Sequence, residues 1–342
     1  MNNKVIIVGL FSNPKTAPVT QASVLASLLS KNGYTVITTS GFINKWLRLV
    51  DIIRSMLLNA GRYNVAIVQF YSGNSFIWQY IAAFITKLLG KDLVFTVHGG
   101  GVPEKLKSKS SSRYLQLLKK ADLITVPSKY LQNELTEFGL KTILIENIID
   151  LKQYPFQDKK AVGPRLLWMR AFSDIYNPLM AVRVVNALRN KYPEVKMIMG
   201  GPDLGMLSAT KQLIHELTLG NNIELIGFMD MEMKQQYASV CDIYISTNKI
   251  DNAPVTFLEM WAMGLPVVST NVGGVPYLVE NKQTGIIVND DDYNQMAEAI
   301  QSLIENKENT LTIIKNAKIK VALYDEAPVL QKWAAVLNTI SI

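Results

Sequence analysis

The chain has 342 residues, 49% apolar and 18% charged, which excludes a disordered polymer and exceeds what one core usually organises, so two domains are expected. Its formal charge of +7 is uneven: residues 1–160 hold 20 basic and 9 acidic side chains, a surplus of +11, and the remainder stands at −4. A single cysteine, Cys241, excludes an internal disulfide or cysteine-built zinc site, and with only His98 and His215 besides, any metal chemistry would depend on carboxylates.

In chain order, MNNKVIIVGLF is too short an apolar run for a signal peptide and reads as a buried first strand. The spacing of Val19, Ala22, Leu25, Ala26 and Leu29 predicts a helix over 18–32, stopped by Gly33, before the strand TVITT. Helix 42–59, strand NVAIVQF, helix 75–89, strand DLVFTV, helix 111–120, strand LITV, helix 128–138 and strand TILI follow. Residues 147–164, with Pro155, Pro164 and no helical period, read as a linker, which sets domains at 1–155 and 156–324. The alternation restarts with RLLWM, helix 178–190, VKMIMG, helix 205–218, IELIGF, helix 231–240, DIYIST, helix 255–263, PVVST, TGIIV and helix 292–306. From 309 the tail is helical, with an interruption near Ala327-Pro328. Short apolar strands alternating with helices predict an α/β fold of two doubly wound, Rossmann-like domains, with ligands beyond the carboxyl ends of the strands where the halves face each other across a cleft.

No run reaches eighteen apolar residues, so no membrane-spanning helix is expected, and the chain reads as cytoplasmic, either soluble or peripheral to the inner face of a membrane. FINKWLRLVDIIRSMLL carries Phe42, Trp46, Leu49, Val50, Ile53 and Leu57 on one stripe, with Lys45, Arg48 and Arg54 elsewhere. Such a stripe is either ordinary core or, with Lys105, Lys107, Lys109 and Lys119-Lys120, a face for anionic headgroups. Nucleic acid is not expected, since no binding motif or interleaved aromatics accompany the basic surplus. Cys241 and mid-helix His215 read as core and as surface or packing residues.

The densest chemistry lies in residues 251–288. Asp251 and Glu259 are eight apart, with Pro254 placed to open a helix between them. The amides of Val255, Thr256 and Phe257 then lie at a helix N-terminus, which favours an anion. Carboxylates that accept from hydroxyls, beside amides that donate to phosphate, would suit a sugar diphosphate. As isolated residues, a turn-capping Asp and a surface Glu read equally well.

Behind the acid pair come Gly264-Leu265-Pro266-Val267-Val268, Asn271-Val272-Gly273-Gly274-Val275-Pro276 and Thr284-Gly285. This succession resembles the C-terminal signature of glycosyltransferase family 4, retaining enzymes of the two-domain GT-B fold, and the resemblance runs through much of 90–290. It implies that Glu259 holds the ribose of a nucleotide-sugar donor. Asp251, one methylene shorter than the usual Glu, would bind hydroxyls of the transferred sugar, and the amides after Pro254 would receive the diphosphate. The turn at Gly227, Phe228 and Met229 matches the loop whose backbone reads the base, although it reads as well as a plain strand-ending turn. Arg170 stands for the family's diphosphate arginine without its preceding Gly. Asn177 falls where a Lys is usual and brings no positive charge; Lys15 is a possible substitute.

In the first domain the resemblance implies a backbone approach to phosphate or acceptor at Thr16-Ala17, where the family has two glycines, and at Gly99. It also implies that His98, at the end of DLVFTV, faces the donor sugar as a neutral imidazole within a close-approach loop of three glycines. Segment 325–342, with Trp333 and Leu337, is expected to pack back on this domain. Together these features imply transfer of a sugar from a UDP- or GDP-sugar to a carbohydrate or lipid-linked acceptor, in glycan, polysaccharide or glycolipid biosynthesis. Arg170, Asp251 and His98 would serve the reaction without metal or cofactor. A non-catalytic nucleotide-sugar binder and a nucleotide-sugar epimerase of the same fold are the alternatives.

Overall fold

A computed structural model of the chain describes residues 4–11, 19–73, 75–108 and 111–340. It divides into two compact units, Met1–Ile148 with Tyr324–Ile342, and Ile149–Leu323. The division falls slightly before the 155/156 boundary of the sequence reading.

The first unit begins with β1 (Lys4–Val8), α1 (Gln21–Lys31), β2 (Thr35–Thr39) and α2 (Lys45–Leu58). It continues with β3 (Val65–Phe70), α3 (Phe76–Leu88), β4 (Asp92–Val97), α4 (Val102–Lys107) and α5 (Ser111–Leu118). Then come β5 (Leu123–Val126), α6 (Lys129–Thr136) and β6 (Ile143–Leu144). The six strands are parallel in the order β2-β1-β3-β4-β5-β6. Residues alternate across the sheet: Ile6, Val8, Ala66 and Val68 join one apolar layer, and Val5, Ile7, Val65 and Ile67 the other. Helices α2 to α6 cover the first layer, and α1 covers the second.

Side-chain caps set the helix starts. Thr20 Oγ1 accepts from the Ser23 amide at 3.2 Å and opens α1, and Asn44 Oδ1 accepts from Trp46 at 2.9 Å and opens α2. On α2 only Ile52 and Met56 are fully buried, while Phe42, Trp46, Val50 and Leu57 stand exposed. The core reading of that stripe is thereby corrected. The sheet takes the opposite side of the helix, with Leu49 and Ile53 half-buried at the boundary.

The second unit contains β7 (Arg165–Met169), α7 (Pro178–Leu188), β8 (Lys196–Gly200), α8 (Leu207–Glu216), β9 (Ile223–Gly227) and α9 (Met231–Val240). It closes with β10 (Ile243–Ser246), α10 (Val255–Ala262), β11 (Val267–Thr270), α11 (Val275–Leu278), β12 (Ile286–Val288), α12 (Tyr293–Glu305) and α13 (Lys307–Val321). Its strands are again parallel, in the order β12-β11-β10-β7-β8-β9. Cys241 is buried and His215 exposed. The final helix, α14 (Glu326–Thr339), returns to the first unit, where Val329, Trp333 and Leu337 join the apolar layer of α1. The tail breaks at Ala322–Tyr324 rather than at Pro328, which lies in the first turn of α14, where a missing N–H costs no helical hydrogen bond. Among the described residues no helix is long and apolar enough to cross a membrane.

Candidate functional site

In the second sheet, β7 has β8 on one side and β10 on the other, so the chain changes direction between β7 and β10. Loops leaving such a switch point diverge and open a crevice at the carboxyl ends. Arg170 follows β7 and Asp251 follows β10, and the two meet there. Arg170 Nη2 donates to Asp251 Oδ2 at 2.7 Å, with side chains only 13% and 16% exposed. Asn248 Nδ2 donates to the same oxygen at 2.6 Å, and the Asn252 amide donates to Oδ1 at 2.8 Å. The guanidinium also lies 5.4 Å from the centre of the Tyr176 ring. Burial is the largest single influence on the Arg170 pKa and would lower it, but Asp251, Tyr244, Tyr176 and Glu259 together outweigh it and the pKa is raised. Arg170 Nε is buried without a partner among the described residues, leaving one unused donor beside the carboxylate.

The glycine pair Gly273-Gly274 explains how the acid-bearing loop keeps its shape. Gly273 has φ +51°, and a Cβ there would lie 2.1 Å from the Asp251 carbonyl oxygen; at Gly274 it would lie 1.7 Å from that of Asn252. The Gly274 amide donates to the Asp251 carbonyl at 2.9 Å. Two motif elements some twenty residues apart are thus one packed unit: backbone lies on backbone, with no room for a side chain.

Helix α10 starts after Pro254 with no side-chain cap, so its open end presents amides toward the Asp251 loop. One of the three expected donors is withdrawn, because the Phe257 amide donates to the Pro254 carbonyl at 3.1 Å. Val255 and Thr256 remain. Further along α10, Glu259 is 4% exposed. Lys234 Nζ on α9 lies 2.7 and 2.9 Å from its two oxygens, and the Tyr154 hydroxyl donates to Oε1 at 3.1 Å. Burial and the adjacent carboxylate push the Tyr154 pKa upward, so it remains a donor.

Asn177 departs from the donor-binding expectation. It adopts left-handed backbone, its Oδ1 accepts from the Met180 amide at 3.3 Å, and its Nδ2 donates to Asp291 Oδ1 at 2.9 Å. Both ends of the amide are committed to capping α7 and tying it to the Asp291 loop. A cation does reach the preceding segment: Lys249 Nζ pairs with Asp174 at 2.7 Å, and its amide donates to the Ile175 carbonyl at 2.8 Å. At the β9 end, Gly227 has φ +71° and its carbonyl accepts from Gly201 at 2.6 Å. Phe228 is half-buried, whereas Met229 packs into the core against Gly200, so its side chain is structural.

In the first unit His98 follows β4. Its amide donates to the Phe70 carbonyl at 3.1 Å, and its ring stacks on Tyr71 at 6.1 Å between centroids. Burial pulls the imidazole pKa down to about 4 against an opposing hydrogen bond with Asn147, so the ring is neutral near pH 7. A Cβ on Gly99 would lie 3.2 Å from the Ser72 amide nitrogen, so this glycine lets two loops pack on each other. The close approach seen at Gly99 is thus to the Tyr71–Ser72 backbone. His98 also lines a small pocket of this unit, together with Gln21, Gln69 and Thr96. Thr16, Ala17 and Lys15 lie outside the described residues.

Sequence reasoning missed Lys234, Tyr154, Asn248, Tyr176, Lys249 and Asn147. Each reaches its partner through the fold, and the only local hint was the three-residue spacing of Asn248 and Asp251 in one loop. Among the described residues no three His, Cys, Asp or Glu side chains converge as a metal site would require.

Two parallel sheets in this order, with an arginine–acid pair at a switch point and a buried glutamate behind it, define a GT-B-type protein. Solved structures of similar shape include Anabaena HepE in complex with UDP and glucose, at TM-score 0.79 and 18% identity over 98% of this chain and 100% of that one. Sucrose-phosphate synthase from Thermosynechococcus elongatus aligns at TM-score 0.80 and 17% identity, over 98% of each chain. The family description "Glycosyltransferase Family 4" matches residues 5–153, and "Glycosyl transferases group 1" matches 153–320. The chain belongs to glycosyltransferase family 4. Curated relatives include the amylovoran biosynthesis glycosyltransferase AmsK of Erwinia amylovora, 26% identical over 32% of this chain and 29% of the relative. Another is a putative colanic acid biosynthesis glycosyltransferase, WcaL, of Salmonella typhimurium, 28% identical over 38% of this chain and 34% of the relative. The matched region thus spans about a third of these curated relatives.

Proposed function

We propose that the chain is a retaining glycosyltransferase, moving a sugar from a UDP- or GDP-sugar to a hydroxyl of a carbohydrate or lipid-linked acceptor in glycan, polysaccharide or glycolipid assembly on the cytoplasmic side of a membrane. The observation that carries this reading is the meeting of Arg170, Asp251 and the open end of α10 at the switch point of the second sheet. Arg170 and the Val255 and Thr256 amides would take the diphosphate and stabilise it as it leaves, Asp251 would accept from sugar hydroxyls, and Glu259 would hold the ribose. The backbone at Gly227 and Phe228 would read the base, and His98, kept neutral, would donate to or accept from the sugar. In the reaction the bond from the anomeric carbon to the diphosphate breaks and a bond to the acceptor oxygen forms on the same face. The acceptor proton passes to the departing phosphate, so no protein nucleophile or metal is assigned.

The test is release of free nucleoside diphosphate from candidate UDP- and GDP-sugars with and without acceptor. Asp251→Ala should abolish turnover and Glu259→Ala should weaken donor binding, and full retention of both by the two variants would refute the assignment. One observation favours a second reading, a nucleotide-sugar binder without turnover: Asn177 is committed to capping α7 where the family usually has a lysine. Donor binding with no diphosphate release across the acceptor panel would select it.

A further inference from the structure

Of the 19 large apolar side chains that stand exposed among the described residues, 11 fall within residues 42–88. On α2 the outward face carries Trp46, Val50 and Leu57, flanked by Leu47 and Leu58, at 48–74% exposure. On α3 it carries Ile77, Tyr80, Phe84 and Leu88, at 45–69%. Those four follow helical spacing, while Ala82, Ala83 and Ile85 face the sheet. Both helices cover the same sheet face and pack side by side, so the two stripes lie next to each other on one surface. Ile43, the most exposed at 80%, leads into α2 in a loop clamped by Arg48, whose Nε and Nη2 donate to the carbonyls of Phe42 and Ile43 at 2.8 and 3.1 Å. A soluble surface scatters such residues singly; two adjacent stripes mark an interaction face.

We infer that the α2–α3 face docks on an anionic lipid bilayer, its apolar tips entering the headgroup boundary. Charge selects this occupant. Residues 41–91 carry six basic side chains and one acid, Asp51. Lys45 and Arg54 stand exposed on α2 itself, placed to meet lipid phosphates as the apolar tips enter. Two copies of this surface would bring like charges together, which opposes self-association, whereas anionic headgroups attract it. Trp46 and Tyr80 suit an interface that is apolar at one end and wet at the other. This inference deepens the proposed function by bringing the chain to lipid-linked acceptors, and it rests on that reading only for its purpose.

Vesicle co-sedimentation tests it, comparing phosphatidylcholine vesicles with vesicles containing phosphatidylglycerol. Wild type should bind the anionic vesicles at least ten-fold better, and less so as salt is raised. Trp46→Glu with Phe84→Glu should lose that binding at least ten-fold while keeping wild-type thermal unfolding and donor-induced stabilisation. Lys45→Glu with Arg54→Glu should lose the preference for anionic lipid. Failure of wild type to bind, or undiminished binding by the Trp46/Phe84 double variant, overturns the inference. A wild-type dimer in sedimentation velocity that the same variant turns to monomer also overturns it, because a second copy then covers the face. Vesicle binding without any stabilisation by UDP- or GDP-sugars would instead count against the proposed function alone.

Discussion

Arg170 and Asp251 offer the sharpest test of how the switch-point loops are held. In Asp251→Ala the guanidinium, 13% exposed, loses its carboxylate partner at 2.7 Å, and Asn248 Nδ2 loses its acceptor. Removing one member of a buried pair typically costs about 3–5 kcal/mol; the remaining exposure and the Tyr176 ring reduce this to about 2–4 kcal/mol. For a unit of this size, that corresponds to a fall in Tm of roughly 4–16 °C. The cost is recoverable, because it arises from a charge left unpaired. Pyrophosphate or UDP should therefore raise the Tm of Asp251→Ala by more than it raises that of wild type, in which the carboxylate competes for Arg170. Arg170→Met combined with Asp251→Leu should regain most of the stability while losing the response to pyrophosphate. Differential scanning fluorimetry with and without each anion reads all three. A Tm loss below about 1 °C in Asp251→Ala, or a smaller anion-induced rise than in wild type, would refute the argument that Arg170 is a desolvated cation held by Asp251.

Lys234→Ala should lower stability by about 2–4 kcal/mol in urea denaturation, since Glu259 would then be buried with Tyr154 as its remaining partner, whereas Tyr154→Phe should cost only about 1 kcal/mol. Gly274→Ala sets a Cβ 1.7 Å from the Asn252 carbonyl, so the acid loop must move; thermal shift should show lost stabilisation by nucleotide sugars even where the variant folds. His98 titrates near 4 when folded and about 6.5 when unfolded, so the unfolded state binds more protons between these values and stability falls with pH across that window. Its share of the loss from pH 7 to pH 5 is about 2 kcal/mol, and His98→Gln should show an acid limb shallower by that amount in urea titrations at the two pH values.

The strands were legible because they are buried on both faces: β3 is buried from Val65 to Phe70, and its apolar run needs no periodicity to be seen. Helix starts were read too early in α1 and α2, since apolar spacing ran back past the residues, Thr20 and Asn44, that cap them. The outward face of α2 could not be read at all. Periodicity reveals that a stripe exists, but with apolar residues all around the helix, the side the sheet takes depends on packing by Ile52 and Met56. For the site, the acid pair and the glycine pair were legible as local spacing. The Arg170–Asp251 and Lys234–Glu259 pairings were not, because they join residues 81 and 25 apart through the sheet order.

Asn177 departs from the family pattern, and the cost of that departure depends on what the site's other cations are doing. Arg170 is matched to Asp251, Lys234 to Glu259 and Lys249 to Asp174, each at 2.7 Å. Among the described residues, a diphosphate would thus meet cations that are already paired, and would loosen a pair or rely on amides. The pairs differ in how readily they open. Lys234 and Glu259 are 20% and 6% exposed, so separating them strands a buried carboxylate; Lys249 and Asp174 are 40% and 74% exposed and hold each other weakly. Lys249 also shares its loop with the switch point, two residues before Asp251, and its amide is bound to Ile175 in the very segment that leads to Asn177. Position 177, meanwhile, has φ +45° and directly precedes Pro178 at the start of α7. An asparagine tolerates that backbone and caps the helix, whereas a lysine could do neither well. Asparagine at 177 therefore serves the helix start, and of these three cations Lys249 is the one held in the most exposed pair.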